Sequence, residues 1–102
     1  MKKYNKVLLI LGAGVDQLPG IQKAKDIGCY TITLDGNPNA AGKYISDEFY
    51  SVNIKDFQAI KSFLENYDIE KIDGVIAYGV DIPTIIAKTA DYIGVNYTIP
   101  TK

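Results

Sequence analysis

The sequence predicts an α/β fold, a mostly parallel sheet of four to five strands with helices on both faces. Two observations predict it. Short apolar or β-branched runs alternate with amphipathic stretches of about a dozen residues, giving β-α-β-(β)-α-β-α-(β). The first run, Lys6–Leu11, is apolar almost throughout, as a strand covered on both faces is, and it runs straight into a glycine turn at Gly12 and Gly14.

The elements follow in order. After the glycine turn, Asp16 to Ile27 reads as the first helix. Asp16 is a candidate N-cap, Pro19 suits the first turn, and Leu18, Ile21, Ala24 and Ile27 recur along one face. Gly28 supplies a left-handed C-cap. Cys29–Leu34 is a second strand, rich in β-branched and aromatic residues, and it ends at Asp35. Gly36–Gly42 is turn chemistry throughout, with a short turn expected over Tyr44–Ser46. Glu48–Val52 reads as a third, short strand nearer an edge.

Lys55–Tyr67 is the second helix, with Phe57, Ile60, Phe63 and Leu64 on one face and either Asn53 or Asp56 as its cap. Ile69–Lys71 connects it to a strand over Ile72–Tyr78, whose buried run is Gly74–Ala77. Gly79 follows. Asp81 then reads as the N-cap of a third helix with Pro83 in its first turn, a stripe of Ile82, Ile85, Ile86 and Ile93, and Gly94 as C-cap. Val95–Ile99 begins a last strand.

Composition narrows the function. The chain has 102 residues, a length suited to one domain with its own core. Hydrophobic residues make up 47% and charged residues 23%, and the formal net charge is -1. All eleven basic residues are Lys, and there is no His. A Ser-His-Asp or Cys-His site and a His-ligated metal are thereby excluded, as are bidentate Arg clamps on phosphate. Neither half is basic, so duplex nucleic acid is not expected as a partner. Cys29 is the only cysteine; it fits a buried seat at the start of a strand and a reducing, cytoplasmic setting. The basic start followed by Val7–Leu11 imitates a secretion signal, but no small-x-small cleavage site follows. No run approaches the ~20 apolar residues of a membrane span.

If the sheet is parallel, three points lie at the carboxyl ends of strands and line one crevice: Gly12 with Gly14, Asp35 with Asn37, and Gly79 with Asp81. The first invites comparison with a dinucleotide fingerprint, and Asp35 sits where a ribose-binding acid would. The fingerprint is imperfect, because the third glycine position holds Gln17 and Gly20 comes too late. The first loop is therefore either a phosphate or ribose site or a turn that lets a helix start. Asp35 and Asn37 read equally as turn residues that bond their own backbone. Asp81 reads as a helix cap or as a holder of a polar ligand group.

The run V-L-L-I-L-G-A-G-V-D-Q-L-P-G-I-Q-K-A-K-D-I-G resembles the opening of ATP-grasp carboxylate-amine ligases, above all those similar to the carbamoyl-phosphate synthase large chain. The segments T-L-D-G-N-P-N-A-A-G-K-Y-I-S-D-E-F-Y-S-V-N-I-K-D and I-D-G-V-I-A-Y-G-V-D-I-P extend the resemblance over essentially the whole chain. It implies a single pre-ATP-grasp domain over residues 1–102, a Rossmann-like three-layer sandwich. It also implies a substrate-side crevice lined by Gly12, Gly14, Asp35, Asn37, Gly79 and Asp81, with a small-molecule substrate.

In the family the ATP-binding lysines, the phosphate-covering loop and the Mg²⁺ carboxylates lie in later domains. The resemblance therefore implies no catalytic, metal or cofactor residues in this chain, with ATP and Mg belonging to the parent enzyme and the isolated chain inactive. Pro100–Lys102 falls about where the catalytic ATP-grasp module is expected to begin. An apolar face left without that module predicts self-association as a homodimer. The alternatives are a small NAD(P)-binding module and a non-catalytic interaction domain.

Overall fold

The computed structural model describes residues 6–95 and 97–98. Five strands form one sheet: β1 (Lys6–Leu11), β2 (Cys29–Asp35), β3 (Glu48–Ser51), β4 (Gly74–Ile76) and β5 (Tyr97–Thr98). Three helices accompany them: α1 (Leu18–Asp26), α2 (Phe57–Glu65) and α3 (Pro83–Ile93). The spatial order is β3-β2-β1-β4-β5, and every pairing is parallel. The chain steps outward from β1 to β3, then returns to the other side of β1. The strand order therefore reverses between β1 and β4, the place where open α/β sheets hold ligands.

Side-chain alternation divides the core between the two faces of the sheet. Leu9, Leu11, Ile32, Leu34 and Val75 pack with Ile60, Leu64, Ile86 and Ala90 of α2 and α3. Ile10, Cys29, Ala13 and Ala40 pack on the other face with Ile21 and Ala24 of α1. This is the three-layer α/β sandwich read from the sequence. Leu9, Ile10, Leu11, Ile32 and Leu34 are all fully buried, and each contributes roughly 1.5–3 kcal/mol relative to an exposed position. Cys29 is buried as expected, and burial pushes its thiol up against the opposing pull of Lys6.

Polar ties close the amino-terminal end of the sheet. Asp47 accepts the Thr31 amide at 2.8 Å and the Lys25 ammonium at 3.1 Å, joining α1, β2 and the start of β3. Glu48 accepts three tyrosine hydroxyls, from Tyr50 at 2.6 Å, Tyr30 at 2.7 Å and Tyr67 at 2.8 Å. The rings of Tyr50, Phe63 and Tyr67 pack on one another at centroid distances of 4.7–6.1 Å, which seats the end of α2 on β3.

Several boundaries differ from the sequence reading. A 3-10 turn, Val15–Gln17, precedes α1, so Asp16 lies exposed within that turn and does not cap the helix. Ile27 is 63% exposed, because it follows the last helical residue and the helical period no longer carries it onto the sheet. The turn expected at Tyr44–Ser46 is a 3-10 helix over Ala41–Tyr44. Asp56 caps α2 by accepting the Gln58 amide, whereas Asn53 accepts the Lys55 amide in a turn of its own. β4 is three residues long because it pairs with β1 only from Leu8 to Ile10. Ile82, not Asp81, occupies the N-cap of α3, with no side-chain cap bond. Gly28 and Gly94 end their helices with φ of 96° and 88°. The expected last strand is found as β5; Ile99 lies outside the described residues.

Candidate functional site

Three loops lie side by side at the carboxyl ends of β1, β2 and β4, where the sequence places a crevice. Gly12 leaves β1 with φ of 105°, a left-handed conformation that favours glycine. Its position is also crowded, since a Cβ there would lie 3.1 Å from Val80 Cγ2. Gly12 N donates to Leu34 O at 2.7 Å, so the turn begins with a bond to β2. Ala13 is fully buried; its carbonyl accepts Gly42 N at 2.6 Å and its amide donates to Asp35 Oδ2 at 2.8 Å.

Asp35 thus ties the second loop to the first. Its other oxygen, Oδ1, accepts the Asn37 amide at 2.9 Å. Asn37 repeats the motif one step on, accepting the Asn39 amide at 2.9 Å through Oδ1. Both are Asx turns of the kind these residues favour. Asp35 is half-buried and Asn37 is exposed.

Gln17 ties the first loop to the third. Its Oε1 accepts the Gly14 amide at 2.9 Å. Its Nε2 donates to Tyr78 O at 3.0 Å, across the place where the strand order reverses. One partner is an N–H and the other a carbonyl, which fixes the orientation of the side-chain amide. Gln17 N in turn donates to Gly14 O at 3.0 Å, so Gly14 and Gln17 pair reciprocally and close the 3-10 turn.

The Tyr78 ring rests on α1 at Gly20, where a Cβ would come within 2.3 Å of the ring. Gly20, which falls too late for a fingerprint glycine, is the bare patch of helix that accepts this ring. Burial pushes the Tyr78 phenol up.

The six residues read from the sequence are therefore distributed unevenly. Gly12, Gly14 and Gly79 surround Gln17: added Cβ atoms at these three would lie 3.6, 3.0 and 3.8 Å from its side chain. Asp35 is joined to them through Ala13, and Asn37 through Asp35. Gly79 and Asp81 are exposed on the loop after β4. The sequence alone does not single out Gln17 or Ala13 as parts of the crevice. The available signal for Gln17 is its place three residues after Gly14, where a Gln closes a capping box.

The chemistry open to this crevice follows from what is already bonded. The amides of Gly12, Ala13 and Gly14 all have internal acceptors. Among the described residues, no group of three or more Cys, Asp or Glu side chains converges as a metal site would require. Asn37 and Asp81 are both exposed. No helix among the described residues is long and apolar enough to cross a membrane.

Comparison with known proteins adds the following. No protein-family model matches the sequence, and no curated protein matches it. Solved structures do match. Phosphoribosylglycinamide synthetase from Anaerococcus prevotii is similar over 84% of this chain and 22% of its own, at 29% identity and a TM-score of 0.71. N5-carboxyaminoimidazole synthetase from Staphylococcus aureus, complexed with ADP, is similar over 97% of this chain and 24% of its own, at 21% identity and a TM-score of 0.64. A UDP-Glc/GlcNAc 4-epimerase from Campylobacter jejuni shares the fold over 93% of this chain and 36% of its own, at 18% identity and a TM-score of 0.69. This chain spans about a quarter of the length of the two synthetases. The resemblance to a pre-ATP-grasp domain seen in the sequence is thus matched by structures of ligases of that type.

Proposed function

We propose that this chain is the N-terminal, substrate-side domain of an ATP-grasp carboxylate-amine ligase-like protein, of the carbamoyl-phosphate synthase type, and that it is not catalytic on its own. The similarity to phosphoribosylglycinamide synthetase, at 29% identity over 84% of the chain, carries the reading. The crevice supports it. Gly12 and Gly14 shape its first wall, Asp35 fixes that wall against the second loop, and Asn37, Gly79 and Asp81 form the exposed rim that meets a small polar substrate. ATP and Mg belong to another module. The commitment of the first-loop amides to internal bonds supports that division.

Two measurements test the reading. Purified chain incubated with ATP, Mg²⁺ and a panel of carboxylic acids is expected to release no ADP above the blank; acyl phosphate formation would refute the non-catalytic assignment. The coding DNA after codon 102 is expected to continue in frame into an ATP-grasp module. An unrelated continuation would refute the ligase assignment.

A further inference from the structure

The fold of this chain is shared by ligases and by an epimerase at similar TM-scores, so the fold does not decide the ligand. Much of what a dinucleotide needs is nevertheless present. Gly12 and Gly14 occupy the first two fingerprint positions, and Gly12 has the left-handed turn that brings backbone close to a diphosphate. Asp35 stands at the tip of β2. Each of its oxygens accepts one amide, and each keeps a second lone pair that a ribose hydroxyl could use.

The amides of Gly12 and Ala13 have internal acceptors too; the departure that fills the space above the turn is Gln17. This side chain stands at the third glycine position, where a dinucleotide fold needs close packing and open space above the turn. It is only 9% exposed, and its amide is bonded on both sides. Oε1 takes the Gly14 amide, the group that a phosphate oxygen would take. Nε2 donates to Tyr78 O, so the side chain spans the reversal point between β1 and β4 through which a diphosphate would pass.

We propose that Gln17 is the specificity-determining residue that makes this crevice refuse dinucleotides: its side-chain amide is a permanent occupant of the diphosphate position. The inference stands on the geometry of the first loop and is independent of the ligase reading.

The test is titration of the isotope-labelled chain with NAD, followed by NMR at the amides of Gly14 and Gly79. The wild type is expected to show no saturable shift at millimolar NAD, and its Gly14 amide to exchange with solvent at least about tenfold more slowly than that of Val15. Gln17→Gly supplies the third glycine and is expected to bind NAD saturably, with a dissociation constant at least about tenfold below the millimolar limit set by the wild type, a gain of at least about 1.4 kcal/mol. Gln17→Ala is the second variant in case glycine unsettles the turn. Saturable NAD binding by the wild type overturns the proposal, and so does rapid exchange at Gly14. Folded variants as indifferent to NAD as the wild type overturn it too. If neither variant folds, the two wild-type measurements decide. A failure here leaves the ATP and DNA tests of the ligase reading untouched.

Discussion

The Oδ2 oxygen of Asp35 accepts the amide of Ala13 at 2.8 Å, fastening the loop after β2 to the loop after β1. Ala13 is fully buried, so its amide has no access to water as an alternative acceptor. Asp35→Ala strands that amide and also frees Asn37 N. Leaving a buried donor without a partner costs about 1–3 kcal/mol. For a domain of this size, each 1 kcal/mol lowers the melting midpoint by roughly 4–8 °C. Asp35→Asn is expected to lose less, since one amide keeps an oxygen acceptor. Thermal unfolding followed by circular dichroism checks the order wild type, then Asn, then Ala. A midpoint unchanged in the Ala variant would show that the tie carries no weight.

Gly20 and Tyr78 make a sharper test, because two effects of opposite sign compete. Alanine in a helix is favoured over glycine by up to about 1 kcal/mol. Against this, a Cβ at residue 20 would fall 2.3 Å from the Tyr78 ring, and overpacking costs about 1–3 kcal/mol. Gly20→Ala is therefore expected to destabilise the wild type by about 1 kcal/mol. In a Tyr78→Ala background the ring is gone, and the same substitution is expected to stabilise. A double-mutant cycle by urea unfolding reads the reversal of sign directly.

The glutamate under three tyrosines predicts both limbs of the pH dependence. Burial works against the charge of Glu48, but the hydroxyls of Tyr50, Tyr30 and Tyr67 and the charge of Lys71 hold its carboxyl below the ordinary 4.5. Asp47 is held down in the same way: burial opposes its charge, while the Thr31 amide, the Lys25 ammonium and the Thr31 hydroxyl outweigh it. A folded-state pKa lowered below its unfolded value means that the unfolded chain takes up protons first as pH falls. Stability is then full above about 4.5 and is lost progressively below it. The tyrosines run the other way. The bond to Glu48 and then burial raise Tyr50, while burial and then Glu48 raise Tyr67, both above the ordinary 10. The unfolded chain loses these protons first, so stability also falls above about pH 10. Urea midpoints from pH 3 to 11 are expected to show a plateau with both limbs. Glu48→Gln is expected to make the acid limb shallower.

What the sequence made legible was local. Lys6–Leu11 and Cys29–Leu34 declare themselves as strands because the residues buried on both faces, Leu9 to Leu11 and Thr31 to Leu34, are consecutive. Gly28 and Gly94 declare helix ends because the left-handed turn belongs to single positions. The three crevice loops followed once the strands were in place, since parallel order alone brings their carboxyl ends together. What was hidden depends on partners far apart in the chain. Gln17 looks like a lost glycine until Tyr78, 61 residues on, supplies the carbonyl for its amide. Tyr30 and Tyr67 look like scattered packing residues until Glu48, 18 and 19 residues away, gathers their hydroxyls.

Asp56 and Asp81, two of the three aspartates that read as helix caps, provide the last test. Asp56 has extended backbone, with φ of -121° and ψ of 103°, and its carboxylate accepts the Gln58 amide at 3.0 Å. That geometry satisfies one of the donors left open at a helix start, so Asp56→Ala is expected to cost about 1 kcal/mol. Asp81 sits one residue too early, because the chain turns into α3 at Ile82, whose own side chain is buried under the helix. No cap bond is lost in Asp81→Ala, and its stability is expected to stay within about 0.5 kcal/mol of the wild type. Parallel urea unfolding of the two variants checks the contrast. A loss at Asp81 equal to that at Asp56 would mean that α3 begins one residue earlier in solution. The rim carboxylate would then be tied to the helix and not free for a ligand.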